Sequence, residues 1–214
     1  MKAACLTSNY LAPIQYYCKL ISKLPAYIEI NENYIKQSYR NRCVIAGANG
    51  PLTLSIPVVK PDTPKAPTKD IRISDHGNWR HLHWNALISA YNSTPYFEYY
   101  QDDFAPFYEK KYTFLFDMNE QLRELVCALI DIQPEIHYTS TYLTSENADF
   151  QDYRETIQPG KDSLQDPLFS TPIYYQVFSS RNGFIPNLSI IDLLFNMGPE
   201  SKLVLLQSIR PSTL

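Results

Sequence analysis

The chain has 214 residues, enough for one sizeable core or two small ones, and its 44% hydrophobic and 19% charged content excludes a disordered chain. A formal net charge of −3 excludes recruitment of nucleic acid by a whole-molecule field and leaves room only for a local basic patch. No stretch approaches the roughly 18 continuous apolar residues of a membrane span. The N-terminus has no apolar run of signal-peptide length before Asn9 and Gln15, so the expected compartment is the cytoplasm. The cysteines, Cys5, Cys18, Cys43 and Cys127, are widely spread with no CxxC pair. They read as buried free thiols and not as zinc ligands, and no metal site is expected. The 17 tyrosines suit wet-edged core packing, interfaces, or sugar and nucleotide pockets.

Taken in order, Ala3–Leu6 reads as a buried strand that leaves through Thr7-Ser8-Asn9-Tyr10. Pro13 suits the first turn of a helix whose face is Ile14, Tyr17, Cys18 and Ile21. Ala26–Ile30 is a second strand and Cys43–Ala46 a third. Asn49-Gly50 signals a hairpin into the alternating run Leu52, Leu54, Ile56, Val58, which Pro57 marks as an edge. Pro61–Pro67 is an extended excursion, either a plain hairpin insertion or a lid, and Asp70–Ser74 returns as a strand. A helix is predicted from Trp79, with Trp84, Leu87, Ile88 and Tyr91 as its apolar face and Trp79 and His83 on a neighbouring stripe. Tyr96–Tyr100 and Pro106–Tyr112 read as two short helices, and the Tyr-rich segments between Tyr96 and Tyr112 suit a homo-oligomer surface. Leu115–Leu129 reads as a long amphipathic helix and Ile136–Leu143 as a strand. Residues 144–172 read as a long loop, and Tyr174–Phe178 as strand or helix. Pro186-Asn187-Leu188-Ser189 opens a helix stopped by Gly198-Pro199, and Leu203–Ile209 closes the chain against the core.

The candidate chemistry centres on Tyr34–Arg42, where Lys36, Arg40 and Arg42 sit among phenols and amides. Guanidinium forks hold phosphate or carboxylate, and phenols stack on rings and sugars. His83 is the candidate general base by residue type. Asp192 lies between apolar pairs, where a carboxylate requires a cation or several donors, and Arg42 is the expected partner. No GxGxxG, P-loop, GxSxG or HExxH pattern occurs, and the cofactor is unknown.

These residues resemble the WbqC-like protein family. The resemblance is carried by Asn9-Tyr10-Leu11 with Tyr16-Tyr17 and Lys19, by Tyr34–Arg42, by Leu54–Val58, by Trp79 with His83, and by Ala90-Tyr91 followed by Pro95-Tyr96-Phe97. Its most specific block is Phe184–Asn196. The family's first motif usually reads His-Gln-Pro-Asn-Tyr-Leu-Pro-Trp. Leu6–Pro13 matches its Asn-Tyr-Leu but lacks the histidine, glutamine and tryptophan, so any chemistry of that histidine must fall to another base here. The resemblance is to the branch found in Bacteroidetes. It implies a setting in bacterial surface-polysaccharide loci and transfer of an amino acid such as glycine.

The expected architecture is a single α/β domain over residues 1–214, with a mixed sheet of N-terminal strands and helices mostly in the C-terminal two thirds. The expected catalytic groups are His83 and Asp192. Asn9, Tyr10, Tyr34, Lys36, Asn41, Arg42, Trp79, Tyr91, Asn187, Ser189 and Asn196 are the expected substrate-binding groups, gathered into one pocket. The expected ligand is a small molecule, a nucleotide sugar or an activated amino acid, with no nucleic acid. The leading expectation is a transferase acting on an amino sugar or nucleotide-linked sugar. The alternative is a non-catalytic binding or assembly protein whose polar cluster is structural.

Overall fold

A computed structural model describes residues 2–144, 149–161 and 166–210. Its centre is β1, Ala3–Thr7, four of whose five residues are buried. The chain leaves β1 through helix α1, Ile14–Leu20, and returns as β2, Ala26–Glu29. A helical crossover of this kind delivers the second strand parallel to the first. β1 and β2 are parallel, with Leu6 opposite Ile28 and Thr7 opposite Glu29. Strand β5, Ile136–Tyr138, adds in parallel outside β2, and β6, Phe150–Asp152, in parallel on the other side of β1, giving the order β5-β2-β1-β6. Side chains alternate across a sheet, so Ala4, Leu6, Ala26 and Ile28 face the core. The opposite face carries Cys5, Thr7, Tyr27, Glu29, His137 and Asp152.

A separate antiparallel hairpin pairs β3, Arg42–Gly47, with β4, Gly50–Ser55, setting Cys43 opposite Leu54. The α/β domain expected from the sequence is thus present, with its parallel and antiparallel pairings carried by two sheets. The tight turn of the hairpin is Ala48-Asn49, one residue earlier than the sequence signal, and Gly50 at φ +109° supplies the positive backbone angle.

Five other expectations are corrected. Asp70–Ser74 is no strand: a short 3-10 turn covers Thr68–Asp70, and only the single bridges Arg72 to Phe114 and Val58 to Ile73 follow. The two short helices are one, α3, Phe97–Glu109, because Pro106 costs only one backbone bond while its fixed φ fits the helix. The strand expected over Ile136–Leu143 ends at Tyr138, opposite Ile28, with a last backbone bond from Thr139 N–H to the Ile28 carbonyl. The loop expected over 144–172 contains β6, whose three residues become a strand by pairing with β1; residues 145–148 and 162–165 of it lie outside the described set. Tyr174–Phe178 has neither strand nor helix structure.

The remaining helices cover the core side. In α2, Trp79–Tyr91, the buried stripe is Trp79, His83, Leu87 and Tyr91, rotated from the expected face so that Trp84 and Ile88 are only partly buried. α4, Leu115–Leu129, follows α3, and α5 is the single turn Ser179–Asn182. α6, Ile190–Met197, is buried along seven of its eight residues. Its Phe195 ring meets Tyr91, Phe97 and Phe104 edge-on at 5.2, 5.1 and 5.3 Å, which locks α2, α3 and α6 together. Gly198 turns the chain at φ +53° into a 3-10 turn and α7, Ser201–Gln207. All four cysteines are buried free thiols. Among the described residues no helix is long and apolar enough to cross a membrane.

Candidate functional site

The Phe184–Asn196 segment acts as a brace. Asn187, at φ +52°, accepts the Gln15 backbone N–H on Oδ1 at 2.9 Å and so caps α1, whose own N-cap Pro13 offers no side-chain acceptor. Ser189 donates its hydroxyl to the Leu11 carbonyl at 2.7 Å and its N–H to Val44 at 2.8 Å. Asn196 turns inward and donates to the Asp192 carbonyl at 2.7 Å. Two of the expected substrate-binding residues, Asn187 and Ser189, therefore hold the segment after β1 against β3 and α6, while the Asn196 bond stays within α6.

His83 and Asp192 sit in two separate buried networks. The Tyr10 hydroxyl lies 3.1 Å from His83 Nδ1 and 2.8 Å from the Tyr108 hydroxyl, and the Ser55 backbone opposes the effect of burial on the imidazole. Burial lowers the His83 pKa to about 4, so the ring is neutral at pH 7. The Trp79 ring packs edge-on to His83 at 5.1 Å, and its Nε1 donates to the Ser74 carbonyl. Asp192 accepts from Tyr91 at 2.9 Å, Tyr174 at 2.7 Å and Gln176 at 3.1 Å. Burial raises its pKa to about 6, against the lowering effect of these donors. The expected Arg42–Asp192 pair is absent: three neutral donors satisfy the carboxylate, and no salt bridge to it occurs among the described residues. Arg42 opens β3 beside Ser55, half-buried, with Nε unpartnered among the described residues. Asn41 donates to the Ile56 carbonyl at 2.8 Å, and its Oδ1 has no partner among the described residues.

The charged centre of the molecule lies at the carboxyl ends of the parallel strands. In open α/β sheets ligands bind outside these ends, where the strand order reverses. Here the chain steps from β1 to β2 on one side while β6 lies on the other, which makes the β1/β6 boundary that point. Glu29, ending β2, has 0% exposure and is held by Thr139 Oγ1 and the backbone N–H groups of Asn31 and Leu143. Arg154, just past β6, forms a bidentate pair with Asp152 and donates to the Leu143 carbonyl. Its Nη1 has no hydrogen-bond partner among the described residues, the Glu29 carboxylate being 3.8 Å away. Arg40 is buried in a bidentate pair with Glu32 at 2.8 and 2.7 Å. Ser8, from the loop after β1, donates to Glu120 at 2.8 Å, and Glu120 in turn pairs with Arg123 and accepts from Tyr138. Asn9 accepts from Thr7 at 2.6 Å.

Of the expected residues, only Asn9 and the start of the Tyr34–Arg42 stretch reach this edge. Glu29, Glu32, Asp152 and Arg154 were missed. The available signal was Glu29 itself, a carboxylate closing an otherwise apolar strand at the end where parallel sheets bind ligands.

The segment Glu32–Lys36 separates two cavities. Glu32, Asn33 and Ile35 line one of about 350 Å³ with Tyr142, Asp152, Arg154 and Glu155. Tyr34 and Lys36 line the other, about 380 Å³, walled by Lys60–Pro64 and Ala66. The Pro61–Pro67 excursion is tied to this segment by Tyr34 N–H to the Ala66 carbonyl and Thr68 N–H to the Glu32 carbonyl, both 2.9 Å. One cavity is rich in carboxylates; the other carries two lysines and one aspartate.

Comparison with known proteins adds a family and one relative. The family model described as the WbqC-like protein family matches residues 8–158, as a family and not as any branch. The chain is 25% identical over 224 residues to an uncharacterized protein of Mycobacterium tuberculosis, covering 94% of this chain and 95% of the relative. No solved structure matches.

Proposed function

We propose that this chain, which belongs to the WbqC-like protein family, is a transferase of surface-polysaccharide biosynthesis that passes an acyl or aminoacyl group, such as glycine, to an amino sugar or a nucleotide-linked sugar. The observation that carries the reading is the pair of cavities of opposite character on the two sides of Glu32–Lys36. A two-substrate reaction needs two adjoining subsites, and cavities of roughly 300–1,000 Å³ are the size of small-molecule sites. In this reading Lys36, Lys60 and Tyr34 take an anionic group; burial raises the Tyr34 pKa, against the lowering effect of Arg40 and then Arg42. Asn9 orients the substrate at the sheet edge. His83 and Asp192, engaged on every side, position Tyr10 and Tyr91 and through them the loop after β1.

The test is a thermal-shift screen against nucleotides, nucleotide sugars, amino acids and acyl thioesters, using wild type, Lys36→Ala and Arg154→Lys. A nucleotide sugar should raise the wild-type Tm and lose that shift in Lys36→Ala, whose exposed side chain contributes little to stability. A shift indifferent to both substitutions would defeat the assignment of these cavities. The second reading, a non-catalytic binding or assembly protein, draws on the same closure of the His83 and Asp192 networks. It predicts no shift from any of these compounds.

A further inference from the structure

We infer that the uncharged run Thr171–Gln176 is a dimerisation strand, which pairs antiparallel with the same run of a second copy of this chain about a two-fold axis at Tyr174. None of its residues lines either cavity, so the inference stands apart from the transferase reading. The run has no helix or strand structure of its own. Its burial nonetheless alternates as in a strand. Tyr174 and Gln176 are buried, whereas Ile173 and Tyr175 are 84% and 54% exposed, Ile173 being the most exposed large apolar side chain among the described residues. One carboxylate pins the inward pair: the Tyr174 hydroxyl and Gln176 Nε2 both donate to Asp192 Oδ2, at 2.7 and 3.1 Å. Gln176 also exchanges two bonds with the Ile185 backbone. The run is thus held in place with its backbone open. Among the described residues, no backbone–backbone hydrogen bond is made from Thr171 through Tyr175. An extended segment with free N–H and C=O groups is a template for another strand.

Charge selects the occupant. Pro167–Ser180 contains no charged residue, and neither does Leu203–Ile209. The two are tied together by Ser170 N–H to the Ser208 carbonyl at 2.9 Å and by the bridge between Phe169 and Ile209. Leu203 and Leu206, three apart on α7, add a second exposed apolar pair. Open strand edges are ordinarily guarded by charged side chains, lysine above all; here Pro172, near the start of the run, is the only guard. A two-fold contact sets a patch against itself, so any charge near its axis meets its own like. An uncharged patch escapes that cost, and it offers a charged partner nothing to pair with. With Tyr174 opposite Tyr174, Ile173 of each copy falls opposite Tyr175 of the other on the outer face. This is a β-branched–aromatic pair of the kind that stabilises neighbouring strands. Tyr174 and Gln176 of each copy stay on their own Asp192.

Sedimentation velocity of the full chain over a series of concentrations should show a reversible monomer–dimer equilibrium. Ile173→Lys and Tyr175→Glu, both at exposed positions, should each weaken the dimer about tenfold or more and leave the Tm unchanged. An equimolar mixture of the two variants should associate more tightly than either alone, because the new ammonium of one chain then lies opposite the new carboxylate of the other. The double variant should recover the dimer, with two such pairs across the axis. A wild type that stays monomeric throughout would overturn the inference and leave the open edge to the strand of a different protein. So would a dimer that both single variants leave intact, which would place the contact on another face, such as the tyrosines of α3. Loss of the dimer without rescue in the mixture and the double variant would equally overturn it, since the register then fails.

Discussion

His83 and Asp192 are buried ionisable groups whose titrations burial moves in opposite directions. Folded Asp192 keeps its proton to about pH 6, whereas an unfolded aspartate releases it near pH ~3.9. Between those values the folded state binds the extra proton, so this group's contribution to stability falls as pH rises, by about 3 kcal/mol in all. Folded His83 stays neutral down to about pH 4, whereas an unfolded histidine takes up its proton near pH ~6.5. Here the unfolded state binds the extra proton, and the contribution rises with pH through the same window, again by about 3 kcal/mol. The two slopes oppose each other in wild type. Urea unfolding at several pH values from 4 to 7 should expose them: relative to wild type, Asp192→Asn should gain stability with rising pH and His83→Gln should lose it. Parallel pH profiles for the three proteins would show that these groups titrate as they do in water.

At the scale of elements, α1 depends on a cap that its own neighbourhood does not supply. Asn187→Ala removes the acceptor for Gln15 N–H while keeping a Cβ at a positive φ, and should cost about 1–2 kcal/mol in urea unfolding. Asn187→Gly relieves the backbone strain and should cost less. Gly198 is more demanding. A Cβ there would lie 2.4 Å from Tyr96 Cδ1, at a φ of +53° that side chains rarely adopt. Gly198→Ala should therefore lose more than about 2 kcal/mol, read by the same unfolding curves. An unaltered midpoint would mean that Tyr96 swings away freely. The long helices α2 and α4 and the hairpin were legible in the sequence because each carries a whole period of apolar residues. α3 was read as two pieces because a proline looks like a boundary even where a helix accommodates it.

At the scale of the whole molecule, the central sheet was half legible. β1 and β2 announce themselves as short apolar runs. β6 does not, since Phe150-Gln151-Asp152 has one apolar residue and owes its extended form to β1. The charged edge was illegible for a related reason. Glu29, Glu32, Asp152 and Arg154 become neighbours only when β6 docks, and until then Asp152 and Arg154 read as solvated loop charges. The buried thiols were legible one by one from their apolar surroundings, and burial above all raises Cys5 and Cys18 to about 12 and Cys127 to about 11, leaving them unreactive at neutral pH.

The reach of Asn187 back to Gln15, across 172 positions, also sets an order of events during synthesis. At roughly 5–20 residues per second, the cap of the first helix emerges from the ribosome about 10–30 seconds after that helix. β1 waits in the same way for β6. The N-terminal strand and helix, the most buried part of the finished protein, are then exposed longest on the nascent chain. Their apolar surface is what a chaperone working at the ribosome would meet first.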